Sequence, residues 1–185
     1  MKSLIDHPVT TLRWERNDLG PVDFELTGRE GIYATLTFLE GNRSLARVRT
    51  DQGVWTLKHL GILTPTVTLR DEGGRVNLAT FHYHALRNGD LRFEEGGSYD
   101  WVWLQDGEGA GAFLDEVGKP IVRLQAHEGR DAHSSGGFER CEVTLRPGLP
   151  SHSRSALLAA FGWYLILFDH LKKQDIVSAG TTLRL

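Results

Sequence analysis

Apolar residues recur at every second position through most of the chain. Leu12 and Trp14 alternate with Arg13 and Glu15, Phe24 and Leu26 with Asp23 and Glu25, Trp55 and Leu57 with Thr56 and Lys58. Ile32, Ala34, Leu36 and Phe38 form one face of a further segment, and Val67 with Leu69, Leu91 with Phe93, Val122 with Leu124, and Cys141 with Val143 and Leu145 repeat the pattern. A period of two sends alternate side chains to opposite faces, so each run predicts a strand with one face on a core and one in water. Gly20-Pro21, Gly41-Asn42, Gly73-Gly74, Asn88-Gly89, Gly96-Gly97, Gly118-Lys119 and Gly136-Gly137 fall between the runs, where hairpin turns need residues that tolerate positive φ. The runs number about twelve, spread over residues 12–146. A sheet of that many strands is expected to close or fold over, because open edges invite pairing with other chains.

Beyond Pro150 the period changes. Residues 151–172 read as a helix, with Ser151 or Ser153 as its start and Lys172 and Lys173 at its negative end. Ala156 to Phe168, ALLAAFGWYLILF, carries no charge on any side. A surface helix keeps a polar face; one that lacks it is expected to be buried all round. The run is too short to span a membrane, which takes about 18–20 apolar residues. Gly162 in its middle costs about 1 kcal/mol against alanine and is expected to admit a close strand. Asp175 to Leu185 reads as a short final strand.

Amphipathic strands that need a core and a helix that needs burial on every side satisfy each other in one arrangement. The sheet curls into a closed antiparallel barrel and the helix fills its bore, in a single domain over residues 1–185. One hairpin is reused within it: Leu69 to Val76 echoes Phe113 to Lys119, and Phe38 to Arg43 is a looser third copy. Each reads as strand, acidic turn, glycine, basic residue, strand. These hairpins, at Asp71 to Arg75 and Asp115 to Lys119, and the helix core Leu157 to Leu167 resemble the tubby C-terminal-like fold shared by tubby proteins, LURP-one-related proteins and phospholipid scramblases. The resemblance implies twelve strands closed around a central hydrophobic helix, over roughly Leu12 to Lys173. It carries no catalytic or ligand motif onto this chain.

The charge balance changes the functional picture more than the fold. A formal net charge of −3 gives no global basic field for nucleic acid, so none is expected as a partner. Cys141 is the only cysteine, which excludes an intrachain disulfide and suits a reducing, cytoplasmic setting; residues 1–11 lack the apolar stretch of a secretory signal.

Several residues invite a chemical reading. His82 and His84, two apart on a strand, point the same way and could hold a metal if His59, His127 or Asp100 completed the shell. Tyr99, Trp101 and Trp103 share one face, either as a stacking platform or as core. Arg43, Arg47, Arg49, Lys58 and Arg70 could gather into a basic stripe for an anionic headgroup; the plainer reading is a solvated strand face. Cys141, on an apolar face, reads as core. Ser134, Ser135, Ser151, Ser153 and Ser155 lack the elbow of a hydrolase nucleophile, and Gly107 to Gly111 lacks the lysine and helix of a phosphate loop. With no catalytic set and no cofactor expected, the leading expectation is a non-enzymatic barrel that binds a lipid headgroup or a protein partner on its outer surface. A lipocalin-like carrier and a metal-dependent enzyme using His82 and His84 are the alternatives.

Overall fold

A computed structural model describes residues 1–4, 10–17, 23–39, 42–61, 64–84, 88–105, 109–128, 138–147 and 154–182. Twelve strands run in order: β1 (Thr11–Arg16), β2 (Phe24–Gly28), β3 (Gly31–Leu39), β4 (Asn42–Thr50), β5 (Gly53–Leu60), β6 (Thr66–Asp71), β7 (Asn77–Tyr83), β8 (Gly89–Phe93), β9 (Ser98–Trp103), β10 (Ala110–Leu114), β11 (Pro120–Glu128) and β12 (Phe138–Leu145). Each pairs antiparallel with its sequence neighbours, and β1 pairs with β12, in register from Thr11 opposite Thr144 to Glu15 opposite Arg140, which closes the barrel. Closure removes the sheet edges that would otherwise template aggregation. The expected twelve-strand closed barrel is thus present.

The alternation sets which side chains enter the bore. Leu12, Trp14, Leu26, Leu36, Val48, Leu57, Leu69, Phe81 and Leu91 are buried, while Arg13, Arg47, Arg49 and Arg92 between them are exposed. The repeated hairpins behave as their residues dictate. Asp71 Oδ1 accepts the Arg75 and Val76 N–H groups at 2.8 and 3.0 Å, and Asp115 Oδ1 accepts those of Val117 and Lys119 at 3.1 and 2.8 Å. Gly74 and Gly118 take the left-handed conformation between them, at φ 65° and 74°. Asp115 Oδ2 also accepts Arg146 at 2.5 Å, and that guanidinium bond holds the Asp115 carboxyl below the usual carboxylate range. The third copy, Phe38 to Arg43, crosses residues 40–41, which lie outside the described residues.

Helix α1 (Ser155–Thr182) occupies the bore. From Ala156 to Phe168 its side chains are buried on every side, and they meet strands around nearly the whole wall. Phe161 packs on Phe81 of β7 and Phe113 of β10; Trp163 packs edge-on to Phe24 of β2 and lies against Phe138 of β12. Tyr164 stacks on Phe38 of β3 and donates its hydroxyl to the Ser44 carbonyl of β4 at 2.7 Å. Phe168 reaches His59 of β5 at 4.5 Å between rings. A Cβ at Gly162 would stand 2.7 Å from Leu124 of β11 and 3.0 Å from the Trp101 ring of β9, so its missing side chain admits both strands. Each fully buried large apolar side chain contributes about 1.5–3 kcal/mol, and here helix and wall supply that burial to each other.

Two expectations about this segment are corrected. The helix does not end near Lys172, and the expected final strand over Asp175 to Leu185 is replaced as far as Thr182 by α1; residues 183–185 lie outside the described residues. Ile176, Val177, Thr181 and Thr182 are weak helix formers, but the buried turns before them have already met the cost of nucleation, and extension needs only one bond per residue. Lys172 and Lys173 therefore sit within the helix. Among the described residues it begins at Ser155. The Arg154 carbonyl accepts the Leu158 N–H at 2.8 Å, and the Arg154 guanidinium bonds the Gly96 carbonyl at 2.9 Å and Glu95 at 2.5 Å while lying 4.1 Å over the Phe93 ring. Arg154 thus ties the helix entrance to the β8–β9 hairpin; Ser151 and Ser153 lie outside the described residues.

Candidate functional site

The basic residues singled out from the sequence converge on one sector of the outer wall. On β4, Arg47 and Arg49 alternate with buried Ala46 and Val48, so both point outward. Register places Arg47 opposite Thr56 of β5 and Thr56 opposite Arg70 of β6. Arg47, Thr56 and Arg70 thus form one row across three strands, and the two arginines stand about 10 Å apart at two strand spacings. Lys58 lies in the next row, between Leu45 and Thr68. Arg43 is the second residue of β4, but its side chain lies outside the described residues.

The chemistry of this sector is one-sided. Cross-strand partners of the four cations are Thr35, Thr37, Val54, Thr56, Leu45, Thr68 and Asn77, with no carboxylate directly opposite any of them. Among the described residues, Arg47, Arg49 and Lys58 enter no ion pair. The nearest acid in the Arg49 row is Glu25, beyond Thr35 and two strands away. Arg70 is the exception in freedom: its guanidinium reaches back to the Gly74 carbonyl at 3.5 Å. Other parts of the wall are mixed, with Arg13, Glu15, Arg140 and Glu142 interleaved on β1 and β12.

His82 and His84 do share the outer face, and the structure adds a residue that the sequence reading missed. Asp90 of β8 stands opposite His82 and is only 4% exposed. His84 Nε2 lies 2.6 Å from its Oδ1, Arg92 Nε donates to its Oδ2 at 2.5 Å, and His82 Nδ1 is 3.9 Å from Oδ2. The arrangement is a buried carboxylate roofed by three nitrogen bases, with the arginine already occupying one oxygen. Among the described residues, no group of three or more His, Cys, Asp or Glu side chains is arranged to hold a metal ion. Asp100 stands opposite Asp90 on β9, whereas His59 and His127 lie elsewhere, the first against Phe168 and the second 3.8 Å from Glu142. Asp90 was not legible in the sequence: a two-residue turn at Asn88-Gly89 would pair Asp90 with Arg87, whereas Gly89 belongs to β8 and stands opposite Tyr83, which puts His82 opposite Asp90.

The aromatic row resolves in favour of core. Trp101 is 1% exposed and wedged between Trp103 and Phe113, at 5.6 and 4.9 Å between ring centres, with Tyr99 and Trp103 packed at the edge of the same cluster. It offers no open platform. Cys141 is buried, and burial pushes its thiol pKa up, against reactivity.

At the end of the bore where α1 emerges, His59 is half-buried, 4.5 Å from Phe168, with Lys172 Nζ 3.5 Å from its Nε2. Burial first, and the Lys172 charge second, lower its pKa to about 4. A histidine held neutral in the fold binds fewer protons than the unfolded chain between its folded value and about 6.5. Stability is therefore full above about pH 6.5 and falls as pH drops toward 4. The expected loss over that window is about 1–2 kcal/mol, and His59→Phe should flatten that limb of the melting temperature against pH. An unchanged pH profile in the variant would refute the assignment.

No helix among the described residues is long and apolar enough to cross a membrane. Compared with protein-family models, with curated proteins and with solved structures, the chain matches none.

Proposed function

We propose that this chain is a non-enzymatic barrel domain of the tubby C-terminal-like kind, and that the β4–β6 sector of its outer wall docks on anionic lipid headgroups. The family assignment rests on architecture: twelve antiparallel strands closed around a C-terminal apolar helix. One observation carries the function. Arg47, Arg49 and Lys58 stand on a wall whose cross-strand neighbours are threonine, valine and leucine, with no acid directly opposite. Unpaired cations on a rigid scaffold are attracted to a negative surface, by about 1 kcal/mol each. The filled bore also favours an outer site over a carrier's inner one, since Phe161, Trp163 and Tyr164 take up the space that a carried ligand would need.

Vesicles of phosphatidylcholine containing phosphatidylserine test this directly. At low salt the protein should sediment with them, and Arg47→Ala with Arg49→Ala should weaken partitioning by about 25-fold, two increments of about 1 kcal/mol. Raising the salt should release the wild type. Protein that stays in the supernatant at low salt would overturn the reading and leave a protein partner as the better candidate.

A further inference from the structure

Granting the membrane-docking reading above, we infer that the β4–β6 wall responds to the density of negative charge spread over a surface and not to any single multiply phosphorylated headgroup. Selecting one headgroup requires donors that converge on the same few oxygens, usually with backbone N–H groups among them. This wall supplies neither. It is the outside of a closed barrel, so it is convex, and neighbouring side chains diverge from it. Its backbone groups are engaged in ladders on both sides, from β3 through β7, so no N–H nest faces outward. The residues between the cations are Thr56 and Thr68, too short to wall off a pocket. Arg70, opposite Thr56 and one row from Lys58, is drawn back to the Gly74 carbonyl. What remains is Arg47, Arg49 and Lys58, each on its own grid point: by register Arg47 stands about 7 Å from Arg49 and about 8 Å from Lys58, and the outer two are about 14 Å apart. Such a grid matches several headgroups at once.

Two consequences separate this from stereospecific recognition. Each cation should count equally, so Arg47→Ala, Arg49→Ala and Lys58→Ala should each weaken partitioning by about five-fold. Charge alone should suffice, so Arg47→Lys and Arg49→Lys should bind like the wild type, although lysine cannot form the bidentate arginine–phosphate pair.

The experiment uses the full chain and two vesicle sets matched in measured surface charge. One carries a monoanionic phosphatidylserine fraction; the other carries a smaller fraction of a doubly phosphorylated inositol lipid. Partitioning equal within about two-fold between the sets, with the lysine variants unimpaired, is the expected result. A preference of about ten-fold or more for the inositol lipid at matched charge, or lysine variants as weak as the alanine ones, would overturn the inference while leaving membrane docking intact. Absence of binding to both sets would remove the docking reading itself, and the inference with it. Unchanged melting temperatures in the surface variants confirm that folding is not the cause of any loss.

Discussion

Leu165→Asp should leave no folded protein to purify. Leu165 is 2% exposed on α1, within the run from Ala156 to Phe168 that touches the wall on all sides. A carboxylate there would meet apolar side chains and no described cation partner, and an unpaired buried charge costs several kcal/mol. Against a total stability of about 5–15 kcal/mol, that is enough to abolish the fold or to force the helix out of the bore. Leu165→Met, which keeps volume and polarity, should cost less than about 1.5 kcal/mol and serves as the control. The measurements are soluble yield and near-ultraviolet circular dichroism. An aspartate variant that melts like the wild type would place Leu165 in contact with water and refute the central helix.

Gly111→Ala should be strongly destabilising for the addition of a single methyl group. Gly111 of β10 pairs with Trp103 and Leu124, and a Cβ there would lie 2.2 and 2.5 Å from atoms of the Trp101 ring. The ring cannot step aside freely. Gly162 of α1 admits its far edge, and Phe113 and Trp103 hold its flanks. Overpacking a rigid core costs about 1–3 kcal/mol, sometimes more, and a domain of this size loses about 2–4 °C in melting temperature per kcal/mol. A drop of about 5–10 °C is the expected result. A variant within about 1 °C of wild type would mean that the indole is free to move, contrary to its burial.

These two sites also show what the sequence disclosed and what it could not. The barrel and its plug were legible because both rest on period: Leu12, Trp14, Leu26 and Leu36 repeat at two, and the run through Leu165 has no polar side at all. Gly162 announced a close approach, but not that Trp101 would meet it, since that contact joins residues 61 positions apart. The basic stripe was legible as a composition of β4–β6, whereas its lack of facing acids depends on register, which fixes Thr56 between Arg47 and Arg70. Asp90 was missed for the same reason. The end of α1 was misread because Val177, Ser178 and Gly180 favour other conformations locally, and a helix already anchored in the bore overrides that preference.

The order of the elements has a consequence for how the protein is made. Every strand except the β1–β12 pair finds its partner next to itself in sequence, so hairpins can form one after another as the chain leaves the ribosome. Their inner faces, from Trp14 to Leu145, have nothing to bury against until α1 follows. Translation therefore delivers a cylinder of sticky strands first and its filling last. A chain stalled or terminated after Leu145 and before Ser155 would expose the whole lining at once. Such fragments are the form in which this protein should most need a chaperone or invite a protease.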